Sequence, residues 1–171
     1  MDEKEAIRLL KKYSKDDVQL KKVLDHSRAV QKAALRIGKE LGADLEFISI
    51  GSLLHDIGRF FFNPGSKDSI RHGIKGAEIL RKEGLERFAD VAERHIGAGI
   101  KKKDIERQKL NLPAKDFVPV SLEEKIIAYA DNLIFGTEER KIGDVIERFR
   151  KELGEEYARR VRELHTDLFE V

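Results

Sequence analysis

The stretch LEFISIGSLLHDI, residues 45–57, constrains this chain more than any other. Its apolar members are Leu45, Phe47, Ile48, Ile50, Leu53, Leu54 and Ile57. At 3.6 residues per turn they leave no polar face, and a helix that is apolar almost all round is buried. His55 and Asp56 stand at the end of this helix. An ionised carboxylate left unpaired in such a place costs several kcal/mol. A cation would remove that cost. So would an arginine paired with Asp56 and a backbone carbonyl bonded to His55, and the dipeptide alone does not choose between the two.

Helical periodicity dominates the rest of the chain, and the alternation of β-branched residues that marks strands is nearly absent. The only prolines are Pro64, Pro113 and Pro119. A short helix is expected over about 4–12. A long one, capped by Ser14 with Asp17, should run to about Leu41. Asp44 caps the buried helix, which stops at Gly58, and residues 60–67, with Asn63-Pro64-Gly65, read as a loop. Further helices are expected over about 69–82, 85–95 and 101–110, followed by an irregular connection over 112–120. Ser121 with Glu124 opens a helix to about Phe135, and two charged helices close the chain near 138–153 and 155–168. These readings predict an all-α fold of about seven to nine helices. No repeat, low-complexity tract or linker divides it, so residues 1–171 read as one helical domain.

The other histidines repeat the pattern of His55. His26 lies on the stripe Val23, Val30, Ala33, Ile37, Leu41. His95 follows Leu85, Phe88 and Ala92, and His72 shares a helix side with Gly76 and Ile79. Asp131 interrupts the run Ile126 to Ala130, with Leu133 and Ile134 beyond it. A lone core histidine is usually a satisfied structural residue. Four of them with two buried acids are hard to satisfy without a shared partner.

Composition limits what that partner and its setting can be. The chain has no cysteine, which excludes disulfides and thiolate metal sites. Charged residues make up 39 %, yet the net charge is only +2, a balance that gives no strong case for a nucleic-acid or membrane surface. Heavy use of Lys, Glu and Arg with a single Met is thermophile-like. The first residues, MDEKEAIRLLKK, lack a signal-peptide core, and no apolar run approaches the ~18 residues that span a bilayer. A cytoplasmic location is the expectation.

In order and context these residues resemble the HD-domain superfamily of metal-dependent phosphohydrolases. The set is His26, then His55-Asp56 within LLHDIG, then Asp131 within AYADNL, over about Val18 to Phe135. The resemblance implies that His26, His55, Asp56 and Asp131 bind one metal. The stretches RHGIKGAEIL and ERHIGAGI look like those of the two-metal branch, which implies that His72 and His95 help to hold a second ion and that Asp56 bridges the pair. Two-metal hydrolases hold their ions roughly 3.5–4 Å apart. The chain departs from the cyclic-dinucleotide phosphodiesterases of that branch: it lacks their Gly-Tyr-Pro motif and has Arg59 where they have Lys. It is more similar to small stand-alone archaeal and bacterial HD hydrolases, whose substrates are often unassigned or are small nucleotides.

Ligands drawn from His and carboxylate suit Mn, Fe, Co, Ni or Zn. Bound water loses a proton near neutrality at such an ion, and phosphoryl transfer needs mainly positioning and charge neutralisation. Asp56, able to orient or deprotonate that water, and Arg59 are the catalytic candidates. Arg59, at i+4 from His55, is the candidate for phosphate binding. Lys75, at i+3 from His72, and Lys101, first of three lysines after the glycines that follow His95, are further substrate-binding candidates, although a lysine run is usually a solvated face. Phe60, Phe61 and Phe62 read first as packing under the loop, with a pocket wall that stacks on a base as the alternative, Asn63 and Asn132 as partners of loop backbone, and His165 as a surface histidine. The expected activity is hydrolysis of a phosphomonoester or phosphodiester of a small nucleotide. The alternative is a regulatory module that binds metal or nucleotide without turnover. Oligomerisation stays open.

Overall fold

A computed structural model describes residues 1–170 and contains nine α-helices among them. They are α1 (Glu3–Tyr13), α2 (Asp17–Leu41), α3 (Leu45–Leu54), α4 (His72–Lys82), α5 (Glu86–Arg94), α6 (Lys102–Gln108), α7 (Leu122–Leu133), α8 (Ile142–Leu153) and α9 (Glu155–Phe169). Among the described residues the fold is all-α apart from one hairpin and an isolated antiparallel bridge between Ile100 and Phe117. The hairpin strands β1 (Ile134–Phe135) and β2 (Glu138–Glu139) pair Ile134 with Glu139 and Phe135 with Glu138. Among the described residues no helix is long and apolar enough to cross a membrane.

Helix α3 is apolar all round because it packs on two sides. Phe47 and Ile48 join a core built from α2, α7 and α9, with Val30, Ile37, Ile126, Ile127, Val161 and Leu164. Ile50, Leu53 and Leu54 join a second core with Leu10 of α1, Leu80 of α4 and Ala89 of α5. Asp44 caps α3 by accepting from the N–H of Phe47. The chain then leaves α3 in a tight 3-10 turn, Ile57–Phe61, which lies against α4. Gly58 makes that approach possible: a Cβ there would stand 1.9 Å from the carbonyl oxygen of His72 and 2.6 Å from the N of Gly76.

Several local readings change. The cap of α2 is Asp16, which accepts from Gln19 N–H, whereas Ser14 ends α1. Ser121 caps α7 through Glu124 N–H, but the Glu124 carboxylate accepts from Val120 rather than closing a box on Ser121. The segment 60–67 is not all loop, since 3-10 turns cover Ile57–Phe61 and Lys67–Arg71, and the regular helix begins only at His72. Residues 138–139 belong to the hairpin, so α8 starts at Ile142.

Helix α9 is locked to α6 by an ion pair that hydrophobic patterning does not reveal. Arg160 is 4 % exposed and Asp104 0 %. Arg160 donates to both Asp104 oxygens, with Nη2 3.0 Å from Oδ1, and also to Glu156 at 2.9 Å. His165 is half-buried rather than a surface residue. Its Nδ1 lies 2.7 Å from the hydroxyl of Tyr129, whose pKa is pushed up to about 12 by burial first, with Glu139 adding and Arg36 opposing.

Candidate metal centre

Six side chains from five helices meet at the junction of the two cores. His55 ends α3 and Asp56 follows it, held at φ −102° and ψ 12° as the chain turns. His72 begins α4, His95 follows α5, Asp131 lies in the last turn of α7, and His26 comes from the middle of α2. His55, Asp56, His72 and His95 are buried.

Each imidazole is fixed by its outer nitrogen. His26 Nδ1 lies 2.7 Å from the carbonyl oxygen of Gly136, His55 Nδ1 2.7 Å from that of Ser52, His72 Nδ1 2.6 Å from that of Ser69, and His95 Nδ1 2.8 Å from that of Ala92. A carbonyl only accepts, so each Nδ1 carries the proton. In the neutral ring Nε2 is then a bare lone pair aimed inward. These lone pairs flank Asp56 on two sides. Oδ1 of Asp56 is 3.2 Å from Nε2 of His72 and 3.2 Å from Nε2 of His95. Oδ2 is 3.5 Å from Nε2 of His55 and 3.7 Å from Nε2 of His26. Asp131 Oδ1 closes the second side, 3.0 Å from His26 Nε2 and 3.4 Å from His55 Nε2.

The electrostatics describe a centre short of positive charge. Burial disfavours ionisation of Asp56, but His55, Arg59, His72 and His95 outweigh it and hold this carboxyl well below its usual range. Burial likewise opposes ionisation of Asp131, and His26 and His55 overcome it. Burial lowers the pKa of His55, yet Asp56 and Asp131 push it up to about 9. Burial keeps His95 below the ordinary imidazole value. His55 Nε2 and Asp56 Oδ1 are buried without any hydrogen bond.

The residues present fit a metal. With the rings neutral, the converging atoms are all lone-pair donors, nitrogen and carboxylate oxygen, with the second nitrogen of each ring tied to a backbone acceptor, as in metal-ligating histidines generally. In the sets His26, His55, Asp131 and His55, Asp56, His95 one atom from each residue lies within 4.8 Å of the others.

A cavity of about 540 Å³ opens beside the centre, with His26, Asp56, Arg59 and His72 in its wall. Arg59 donates from Nε to Asp56 Oδ2 at 2.8 Å. Its terminal nitrogens have no partner among the described residues. Lys75 and Lys101 are not in this wall. Lys75 is drawn to Glu78 on its own helix, 3.0 Å away, and lies 5.0 Å from the centre of the Phe61 ring. Lys101 stands at the start of α6, its backbone N–H bonded to Asp104. The phenylalanines divide: Phe60 is buried, Phe61 is exposed, and Phe62 lines the cavity with Asn63. Asn132 donates to the carbonyl of Gly97 at 3.0 Å. Sequence reasoning missed Lys22, Gly136 and Thr137 in the wall. Lys22 was within reach, since it stands four residues before His26 on one helix face. Nothing local marks the other two.

The family model described as HD domain matches residues 23–136. An uncharacterised protein of Methanocaldococcus jannaschii is 44 % identical over 163 residues, which are 92 % of this chain and 89 % of that protein. The tRNA (cytidine(56)-2'-O)-methyltransferase of Thermoplasma volcanium is 39 % identical over 165 residues, covering 96 % of this chain but 46 % of the methyltransferase. The chain thus spans about half the length of that relative. Among solved structures, the HD domain of the L. monocytogenes phosphodiesterase PgpH in complex with cyclic-di-AMP is similar with a TM-score of 0.57 at 19 % identity, covering 98 % of both chains. This likeness concerns the fold.

Proposed function

Because the chain belongs to the HD domain family, we propose that it is a metal-dependent phosphohydrolase, cleaving a phosphomonoester or phosphodiester of a small nucleotide at a two-metal centre. The observation that carries this reading is the placing of Asp56 between two imidazole pairs, Oδ1 toward His72 and His95 and Oδ2 toward His26 and His55. His26, His55, Asp131 and one Asp56 oxygen would hold one ion; His72, His95 and the other oxygen would hold the second. When bound, ions ligated in this way supply a water deprotonated near neutral pH and neutralise phosphoryl charge. Mn, Fe, Co, Ni and Zn suit the ligands.

The chain's own residues do the rest. Asp56 joins the two halves of the centre and orients the attacking water. Arg59, anchored through Nε, turns the remaining guanidinium toward the cavity, where it binds phosphate. The cavity volume lies in the range of small-molecule sites, roughly 300–1,000 Å³. Two of the similar proteins are named with a tRNA and with a cyclic dinucleotide, which supports nucleotide chemistry as the substrate class.

A rival reading, a module that binds metal or nucleotide without turnover, draws support from the occurrence of a corresponding region within a protein named for methyl transfer. Turnover decides. Purified protein would be analysed for metal and assayed with Mn, Co, Ni and Zn against nucleotides, cyclic nucleotides, short RNA and an aryl phosphate. The expected result is two ions per chain and an activity that collapses in Asp56→Ala and His55→Ala. Absence of metal uptake, or undiminished activity in both variants, would sink the proposal.

A further inference from the structure

Three of the four imidazoles are oriented by their own stretch of chain. His55, His72 and His95 stand at helix boundaries and bond carbonyls three residues earlier, those of Ser52, Ser69 and Ala92. Carbonyls near helix ends have acceptor capacity to spare. His26 is different. It sits well inside α2, where the preceding carbonyls are committed to the helix, and its acceptor is the Gly136 carbonyl, 110 residues away. Gly136 is in the turn of the β1–β2 hairpin, at φ +62°, which favours glycine. The hairpin is tied back to α2 by the guanidinium fork of Arg36, which donates to both oxygens of Glu139, Nη1 lying 3.0 Å from Oε2. Arg140 N–H adds a bond to the Leu133 carbonyl at 2.7 Å. Both members of the Arg36–Glu139 pair are exposed, so neither is part of a core.

We infer that Arg36 and Glu139 are positioning residues for His26: by pinning the hairpin to α2 they hold the Gly136 carbonyl where it fixes the His26 ring. Its consequence for metal affinity rests on the metal-centre reading above. Loss of the outer partner of a ligating imidazole costs about 10–100-fold in metal affinity. The role is confined to one half of the centre, because only His26 takes its acceptor from the hairpin. Gly136 and Thr137 also line the cavity, so a molecule that presses on this turn acts on the acceptor of His26.

The test uses Arg36→Glu, Glu139→Arg and the exchanged double variant. Solvent exchange of the His26 Nδ1 proton is followed by NMR in the metal-free protein, and zinc binding is measured by calorimetry. Each single variant is expected to speed the exchange and to weaken one of two zinc equivalents about tenfold, leaving the other unchanged. The double variant, with the ion pair restored in reverse, is expected to recover both readouts. Unchanged exchange in both single variants, equal weakening of both equivalents, or failure of the double variant to recover would overturn the inference. Absence of zinc binding by the unaltered protein would remove the metal reading instead, and the exchange rates would still decide whether the hairpin holds His26.

Discussion

His72 and His95 face each other with their Nε2 atoms 3.0 Å apart, although they come from different helices. Both outer nitrogens donate to carbonyls, so in the neutral rings two lone pairs meet in a buried space, with a carboxylate oxygen 3.2 Å from each. Burial lowers the pKa of His95, so placing a proton on its ring nitrogen carries a cost. A divalent cation, if bound here, would be held by these three donors, the Nε2 atoms of His72 and His95 and the Asp56 oxygen. His72→Ala or His95→Ala should therefore lower the metal count from about two toward one per chain. Elemental analysis of the dialysed variants checks this, and a count that stays at two would remove the second ion from this pair.

Gly58 should be intolerant of even one methyl group. A Cβ there would meet the His72 carbonyl at 1.9 Å and the Gly76 nitrogen at 2.6 Å, both backbone atoms. Relief requires moving α4, and with it His72. Gly58→Ala is expected to cost about 3 kcal/mol or more, which for a chain of this size lowers Tm by roughly 6–12 °C. Gly143 has no atom within 4 Å of a built Cβ, so Gly143→Ala should be neutral to slightly stabilising. Thermal unfolding of the two variants side by side makes the comparison, and equal Tm values would contradict it.

Much of this architecture is legible in the sequence because its signals are local. The all-round apolar helix at 45–54 and the histidines on apolar stripes follow from 3.6-residue periodicity, and the convergence of His26, His55, Asp56, His72, His95 and Asp131 follows from their shared need for a burial partner. What stayed hidden depends on contacts between distant segments. Asp16 and Ser14 are equally good caps on paper, and only the path of the chain after Tyr13 chooses Asp16. Residues 138–139 have the composition of a helix start, yet Arg36 on α2 captures Glu139 and the chain pairs as a hairpin. Asp104 and Arg160 lie in charged stretches that read as solvated faces, and burial between α6 and α9 is what distinguishes them. Part of the cavity wall is formed by a turn, Gly136 and Thr137, with no motif of its own.

The Asp104–Arg160 pair should make stability depend on pH. Hydrogen bonds from Arg160 hold the Asp104 carboxyl below the ordinary range, against burial, with Lys101 N–H and the Arg160 charge assisting. A carboxyl depressed in the folded state contributes stability that is present above its unfolded pKa, roughly 3.9, and is lost as pH falls through the lower folded value. Asp104→Asn, which imitates the protonated acid, should cost about 3 kcal/mol at pH 7. Glu156, still bonded to Arg160, keeps the loss at the low end. The gap between the two proteins should close as pH drops below about 4. Urea unfolding at several pH values measures it, and a gap that does not change with pH would contradict the assignment.

Arg59 should govern substrate affinity without governing metal content. Its Nε is engaged by Asp56 Oδ2, which fixes the guanidinium plane, and the residue lines the cavity. No group on this residue is a lone-pair donor, so it cannot ligate an ion. Lysine in its place keeps one positive charge but loses the planar fork that binds a phosphate through two nitrogens. Arg59→Lys is therefore expected to lower kcat/KM about tenfold, mainly through KM, and Arg59→Ala about a hundredfold, while both variants retain the full metal complement. A tenfold change is about 1.4 kcal/mol of lost interaction, of the order of one charge-assisted hydrogen bond. Steady-state kinetics with an aryl phosphate, run beside elemental analysis, separates the two roles. Loss of metal in Arg59→Ala would make the residue a support for Asp56 instead, and unaltered kinetics would leave phosphate recognition to another cation of the wall, with Lys22 the nearest in kind.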